Sequence, residues 1–198
     1  MKNALRPALA VFAALTLLCG VAYPLAVTGL AQLILPQRAN GSLVEHDGKV
    51  IGSQLVGQSF TSARYFWGRP SATAPTPNNA AASSGANQGP SNPALKDAVA
   101  ARIAALRTVD PSNRDAIPVD LVTASASGLD PHISPAAALY QVNRVAAARG
   151  FPRERVLGLV AAHTERPWLG LFGEARVHVL ALNLALDMAT EDQMPHTR

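Results

Sequence analysis

From Pro7 to Gln37 the chain carries no charged residue and consists mostly of Ala, Leu and Val. At 1.5 Å of rise per residue, about twenty helical residues cover the roughly 30 Å of hydrocarbon in a bilayer. The run therefore predicts a membrane-spanning helix over residues 8–35, behind a short cytoplasmic N-terminus at residues 1–7. Pro7 suits the first helical turn, where its missing N–H has no partner to lose. Pro24 is expected to kink the helix or to end its regular part, and either is tolerable in a membrane. A cleaved signal peptide is the rival reading, with Gly29-Leu30-Ala31 as its cleavage site. The run exceeds the usual apolar core of such a peptide and continues to Leu35, which favours an uncleaved anchor. Leu17-Leu18-Cys19-Gly20 superficially offers a lipoprotein site, but a bulky Leu directly before the cysteine is wrong for that processing.

Beyond the anchor the pattern becomes mixed. Leu43 to Glu45 and Lys49 to Ile51 flank Asp47-Gly48 and read as a hairpin. Gln54 to Phe60 and Tyr65 to Gly68 are short apolar stretches expected as strands. A charge-free, Ser/Ala/Asn/Pro/Gly-rich loop runs from Pro70 to Leu95, and loops of this length are usually functional or disordered. Asn92-Pro93 supplies an N-cap and a first-turn proline for a helix over Ala94 to Arg107. Ile117 to Ala124 reads as a strand and Ser125 to Ser134 as turns. Ser134-Pro135 opens a second helix that Gly150 closes, and Pro152 opens a third over Arg153 to His163. Arg176 to Val179 is β-like, and Leu180 to Ala189 has the apolar density of a buried helix. Strands and helices mix without regular alternation, so the fold class is α+β: one soluble mixed domain over residues 36–190, then a tail at 191–198.

Composition narrows what such a chain does. Hydrophobic residues make up 48% and charged residues 15%, with a formal net charge of +4. Lys2 and Arg6 precede the apolar run, which leaves 17 − 2 = 15 basic against 13 acidic residues elsewhere, or +2. No block of Lys and Arg occurs there and aromatics are sparse, so a nucleic-acid groove is not expected. Lys2 and Arg6 on one side against Arg38 on the other place the N-terminus in the cytoplasm and the domain outside. A lone helix encloses no pore, and this one contains no carboxylate; a cation path needs carbonyl or charged rings from several elements. Small residues at four-residue spacing (Ala10/Ala14, Ala22/Ala26) would admit a neighbouring helix, or reflect only an Ala-rich composition. The single cysteine, Cys19, lies within the apolar run and excludes an intrachain disulfide.

Catalytic signatures are missing: there is no phosphate loop, no Asp-Lys-Thr-Gly, no Gly-x-Ser-x-Gly and no His-Glu-x-x-His. Two segments stand out. Tyr65-Phe66-Trp67-Gly68-Arg69-Pro70, followed by the loop that holds Asn87 and Gln88, suits a partner-recognition surface; alternatively the aromatics fill the core. The second, Val122 to Pro135, gathers Ser125, Ser127, Gly128, Asp130, His132 and Ser134 into a strand-to-helix connection of the kind that binds anions. A serine nucleophile paired with His132 or His163 is one reading of it. The other is that Ser134 caps the helix while the remaining hydroxyls satisfy loop backbone. Asp130 and His132 lack further ligands nearby, so no metal site is expected.

In order along nearly the whole chain, these segments resemble the KdpC family. The resemblance rests on Tyr65 to Ala72, Gly89 to Pro93, Val119 to Ser125, Gly128 to Pro135, Gln141, Arg144-Val145-Ala146 and Leu180 to Leu186. Ser84 and Ala86 depart from a Ser-Gly-Gly-Ser pattern, Ala126 replaces a glycine, and Ala175-x-Val-His178 replaces Pro-x-Val-Asn. The resemblance implies a non-catalytic subunit of a bacterial inner-membrane, ATP-driven potassium uptake complex. Its implied partners are a channel-like A subunit, a P-type ATP-hydrolysing B subunit and a small F subunit. Its implied roles are assembly and a catalytic-chaperone effect that raises the B subunit's affinity for ATP. Ser125, Ser127, Gly128 and Asp130 would then be a nucleotide-binding signature, although a domain facing outward meets little ATP. No cofactor is implied beyond ATP acting through the complex. The expected partner interface comprises Tyr65, Phe66, Trp67, Arg69, Asn87, Gln88, Asp130 and His132. The alternative is an anchored envelope hydrolase or binding protein that uses the Ser125–His132 loop.

Overall fold

The computed structural model describes residues 2–191. Met1, the side chains of Lys2 and Asn3 and residues 192–198 of the expected tail lie outside the described residues. The chain divides into two compact units, Met1–Ser53 and Gln54–Arg198.

In the first unit, α1 (Lys2–Leu17) passes through a π-helical turn at Leu18–Ala22 into α2 (Tyr23–Ile34). Pro24 explains the interruption. It has no N–H to give and its ring crowds the preceding turn. The wider π turn relieves this, with the Tyr23 N–H donating to the Leu18 carbonyl five residues back. Residues Ala4–Ile34 form one continuous stretch of 31 residues, long and apolar enough to cross a membrane, and none of its residues is buried. Near its C-terminal end, the Gln32 side-chain amide bonds that of Asn40, at 3.0 and 3.3 Å. A short helix, α3 (Pro36–Ala39), leads to the expected hairpin of β1 (Leu43–His46) and β2 (Lys49–Ser53). Asp47 and Gly48, with φ of 51° and 72°, form its turn, the left-handed pair that matches the twist of the flanking strands.

In the second unit the helices begin where the caps predict. The side chain of Asn92 caps α4 (Pro93–Val109), and the Ser134 Oγ accepts from the Ala137 N–H at 3.0 Å to cap α5 (Pro135–Arg149). Gly150, left-handed at φ 67°, closes α5, and α6 (Arg153–Ala162) follows Pro152. A small antiparallel sheet orders β3 (His132–Ile133), β5 (Arg176–His178) and β4 (Thr164–Glu165), with β5 in the middle. β5 runs directly into α7 (Val179–Glu191). Val142, Val145, Val156, Val177, Leu182 and Leu186 fill the core between α5, α6, α7 and the sheet.

Three expected strands do not form. Residues 54–60 and 65–68 belong to no sheet, and Ile117 to Ala124 contains a single 3-10 turn at Val119–Leu121. Leu121 and its neighbour Val122 both point inward, whereas a strand would send one of them outward. The Thr123 Oγ1 bonds the Val119 carbonyl at 2.8 Å and tightens that turn.

Candidate functional site

The aromatic segment is held by side chains rather than by a strand. The Phe66 N–H and carbonyl both pair with the Asn183 side-chain amide, at 2.8 and 3.0 Å. Those of Trp67 pair with the Gln141 amide at 2.8 and 3.1 Å. Two buried amides, from α7 and α5, thus take the place of a neighbouring strand and satisfy backbone groups that burial would otherwise orphan. Arg144 adds bonds to the Ala63 and Tyr65 carbonyls and lies 4.9 Å over the Trp67 ring. Burial lowers its pKa to about 10, still far above neutrality, so it remains a cation. Arg149 reaches the Arg64 carbonyl, Asp187 and the Tyr65 ring. The Tyr65 hydroxyl donates to Asp187 at 3.1 Å, and burial together with that carboxylate raises its pKa. Phe66 has no exposed surface. It is a core residue and offers nothing to a partner, in contrast to the half-buried Tyr65 and Trp67.

The hydroxyl-rich connection is a hub on which other loops converge. The Ser127 carbonyl accepts from the Ser84 N–H and the Ser83 hydroxyl, both at 3.0 Å. The Gly128 carbonyl accepts from the Ser71 hydroxyl at 2.7 Å, and the Leu129 carbonyl from the Gly57 N–H at 2.8 Å. Gly128 sits at φ 69°, and a Cβ there would come within 2.6 Å of Thr73 Cγ2 and 2.7 Å of the Ser84 carbonyl oxygen. A Cβ on Gly57 would lie 2.7 Å from the Asp130 carbonyl oxygen. Glycine is required at both places because two backbones meet there.

Asp130 ties the hub together. One carboxylate oxygen accepts from the Arg69 guanidinium at 3.2 Å; the other accepts from the His132 N–H at 3.0 Å and faces its imidazole at 3.5 Å. Burial alone would raise its pKa, but the bonds from His132 and Arg69 outweigh that and hold it below the ordinary carboxylate range. Next to it, His178 stacks edge-on against His132 at 5.2 Å. Its Nδ1 accepts from the Ala181 N–H, so the ring proton sits on Nε2 and donates to the Gln54 carbonyl. Burial in this neutral form lowers its pKa. Asp120 secures the start of α5, accepting from the Ser134 N–H at 2.7 Å and from its hydroxyl at 3.2 Å.

Arg69 borders four clefts. One is shared with Ser125, Ser127 and Asp130, one with Phe60 and Trp67, one with Asn87, Gln88 and Ser125, and one, of about 590 Å³, with Asp130, His132 and Ser134. Tyr65 and Phe66 line none of them. The Ser125 side chain is buried and the Ser127 hydroxyl accepts from the Leu129 N–H. Among the described residues no bond joins a serine hydroxyl to an imidazole: His132 faces Asp130 and His163 pairs with the Leu159 carbonyl. Nor do three or more His, Cys, Asp or Glu side chains gather there as a metal site. The sequence reading overlooked the roles of Asn183, Arg149 and Gly57. A polar Asn between leucines in an otherwise apolar helix was the available signal for the first.

A family model described as the c chain of K+-transporting ATPases, KdpC, matches residues 5–188. The Potassium-transporting ATPase KdpC subunit of Polaromonas naphthalenivorans is 70% identical over 187 residues, 94% of this chain and 95% of that protein. The KdpC subunit of Herminiimonas arsenicoxydans is 60% identical, covering 94% and 98% of the two chains. That of Dechloromonas aromatica is 59% identical, covering 96% and 100%.

Proposed function

The chain belongs to the KdpC family, and on that premise we propose that it is the non-catalytic c subunit of an ATP-driven, high-affinity potassium uptake complex. Its relatives carry the name of a potassium-transporting ATPase subunit. One observation carries the reading of a subunit that leaves the ion to other chains: the only long apolar helix among the described residues has no charged side chain between Pro7 and Gln37. Such a segment anchors but cannot bind or conduct a cation by itself. The partners are then a channel-like A subunit, a P-type B subunit and a small F subunit in the bacterial inner membrane. The domain lies on the outer side, as the charges of Lys2, Arg6 and Arg38 favour. Its work is to stabilise the assembly and, as the family's catalytic chaperone, to raise the B subunit's affinity for ATP.

Within that reading the exposed Asn87 and the half-buried Trp67, Arg69, Gln88 and His132 of the candidate interface serve contacts to partners. Ser125 to Asp130 serves chiefly to hold the loops that present them. That emphasis follows from the inward engagement of the carbonyls of Ser127, Gly128 and Leu129. Isolation of a tagged chain from potassium-starved cells tests the proposal. Co-purification of the A and B subunits, and loss of potassium-stimulated ATP hydrolysis when the chain is deleted, are the expected results. A chain recovered alone from cells with normal uptake would refute it. Digestion of the domain by protease added outside spheroplasts tests the orientation separately.

A further inference from the structure

Between β4 and β5 the chain makes a turn, Pro167 to Gly173, whose side chains are apolar and face outward. Trp168 is 70% exposed, Leu169 72%, Leu171 81% and Phe172 61%. Contiguous apolar surface of this kind marks a contact with protein or membrane. The turn is preformed. The Trp168 and Phe172 backbones exchange bonds at 2.9 and 3.0 Å, and the Gly170 and Leu171 N–H groups donate back to the Pro167 and Trp168 carbonyls at 3.0 and 3.1 Å. The two rings lie 5.7 Å apart. Leu169 is held at φ 53°, a conformation unfavourable for a branched side chain, which keeps Leu169 and Leu171 at the tip. No charge falls within the turn, and at its neck Glu165 and Arg176 pair at 2.8 Å, with Arg166 and Glu174 balancing one another.

We propose that this tip inserts into the headgroup–acyl boundary of the bilayer that the N-terminal helix spans. Three features favour lipid as the occupant. Backbone groups entering an apolar medium are best paired internally, and here the N–H groups of Trp168, Gly170, Leu171 and Phe172 all donate within the turn. An indole beside leucines and phenylalanine is the composition that settles at a membrane interface. A bilayer is also always at hand: residues 35–53 separate the end of α2 from the second unit, at most roughly 65 Å of fully extended chain. Such a tether gives the tip a high effective concentration at the lipid surface. The inference rests on the uncleaved anchor, which the following measurement checks separately.

Full-length chain is reconstituted in phosphatidylcholine vesicles with or without bromine on the acyl chains, and the emission of Trp168 is taken as wild type minus Trp168→Phe. Brominated lipid is expected to quench that component by roughly half, as for an indole at headgroup level, while aqueous iodide leaves it nearly unchanged. Leu169→Asp with Leu171→Asp is expected to abolish the lipid quenching while the chain still floats with the vesicles. Quenching by iodide and not by brominated lipid would overturn the proposal. A chain that does not float would sink the anchor reading and the tip with it. In cells, a benzophenone side chain placed at position 171 should give lipid adducts only; a cross-link to another subunit would replace the bilayer by a protein partner and refute the assignment.

Discussion

Replacing Asn183 by leucine should be among the most damaging changes of similar size in the second unit. Asn183 is 1% exposed and Phe66 not at all, so no solvent replaces the lost amide. Two bonds disappear, 2.8 and 3.0 Å long, and both the N–H and the carbonyl of Phe66 are left unpaired. Each such orphan costs about 1–3 kcal/mol. Leucine's more favourable burial offsets roughly 1–2 kcal/mol of the sum. The expected net loss is about 2–4 kcal/mol, which for a unit of this size lowers the unfolding midpoint by roughly 5–15 °C. Asn183→Asp retains an acceptor for the Phe66 N–H but sets a carboxylate against the Phe66 carbonyl, so it should not restore stability. Full-length chain in detergent, unfolded by guanidinium and followed by the emission of the adjacent Trp67, provides the assay. An Asn183→Leu chain within about 0.5 kcal/mol of the parent, the usual range for inconsequential substitutions, would show that the amide is not what holds the segment in place.

Arg149→Met removes bonds to Arg64, Leu186, Thr190 and Asp187 and the stack on Tyr65. A loss of about 2–4 kcal/mol is expected in the same titration, limited because the partly exposed Asp187 can rehydrate. His178 binds protons less readily in the folded chain than in the unfolded one, because burial and the facing His132 outweigh the Gln54 carbonyl and Glu165. The unfolded chain therefore takes up the extra proton as pH falls below the ordinary imidazole value, and stability should decline from there down through the folded value. His178→Asn should flatten that part of a stability-versus-pH curve. Gly128→Ala forces a side chain into a left-handed position already blocked by Thr73 and Ser84. It should cost more than about 2 kcal/mol and reduce the yield of assembled complex; an unchanged yield and midpoint would contradict the hub description.

What could be read from the sequence was local. Asn92-Pro93, Ser134-Pro135 and Gly150 mark helix ends by chemistry that operates within a few residues, and Asp47-Gly48 does the same for the hairpin. The apolar run declares its helix by length alone. What escaped was settled over long distances. Tyr65 to Gly68 has the composition of a strand, but its pairing partners are Gln141 and Asn183, so the segment satisfies its backbone without joining a sheet. β3 and β4 have two residues each, too few to show a period.

The same distinction governs the candidate site. Serine, glycine and aspartate crowded between Ser125 and Asp130 look from composition alone like a ligand loop. In the fold, the carbonyls of Ser127, Gly128 and Leu129 receive donors from residues 83–84, 71 and 57, while Asp130 anchors Arg69 and fixes the turn into β3. A segment that must accept several incoming loops at backbone distance needs small residues, a left-handed glycine and short polar side chains. Those are also the requirements for cradling an anion. Composition therefore cannot separate the two roles, whereas the hydrogen-bond partners can, and here they assign the segment's backbone first to organising the surface around Arg69. We propose contact with partner subunits as the more direct use of that surface, because the charge of its main cation is already offset by Asp130.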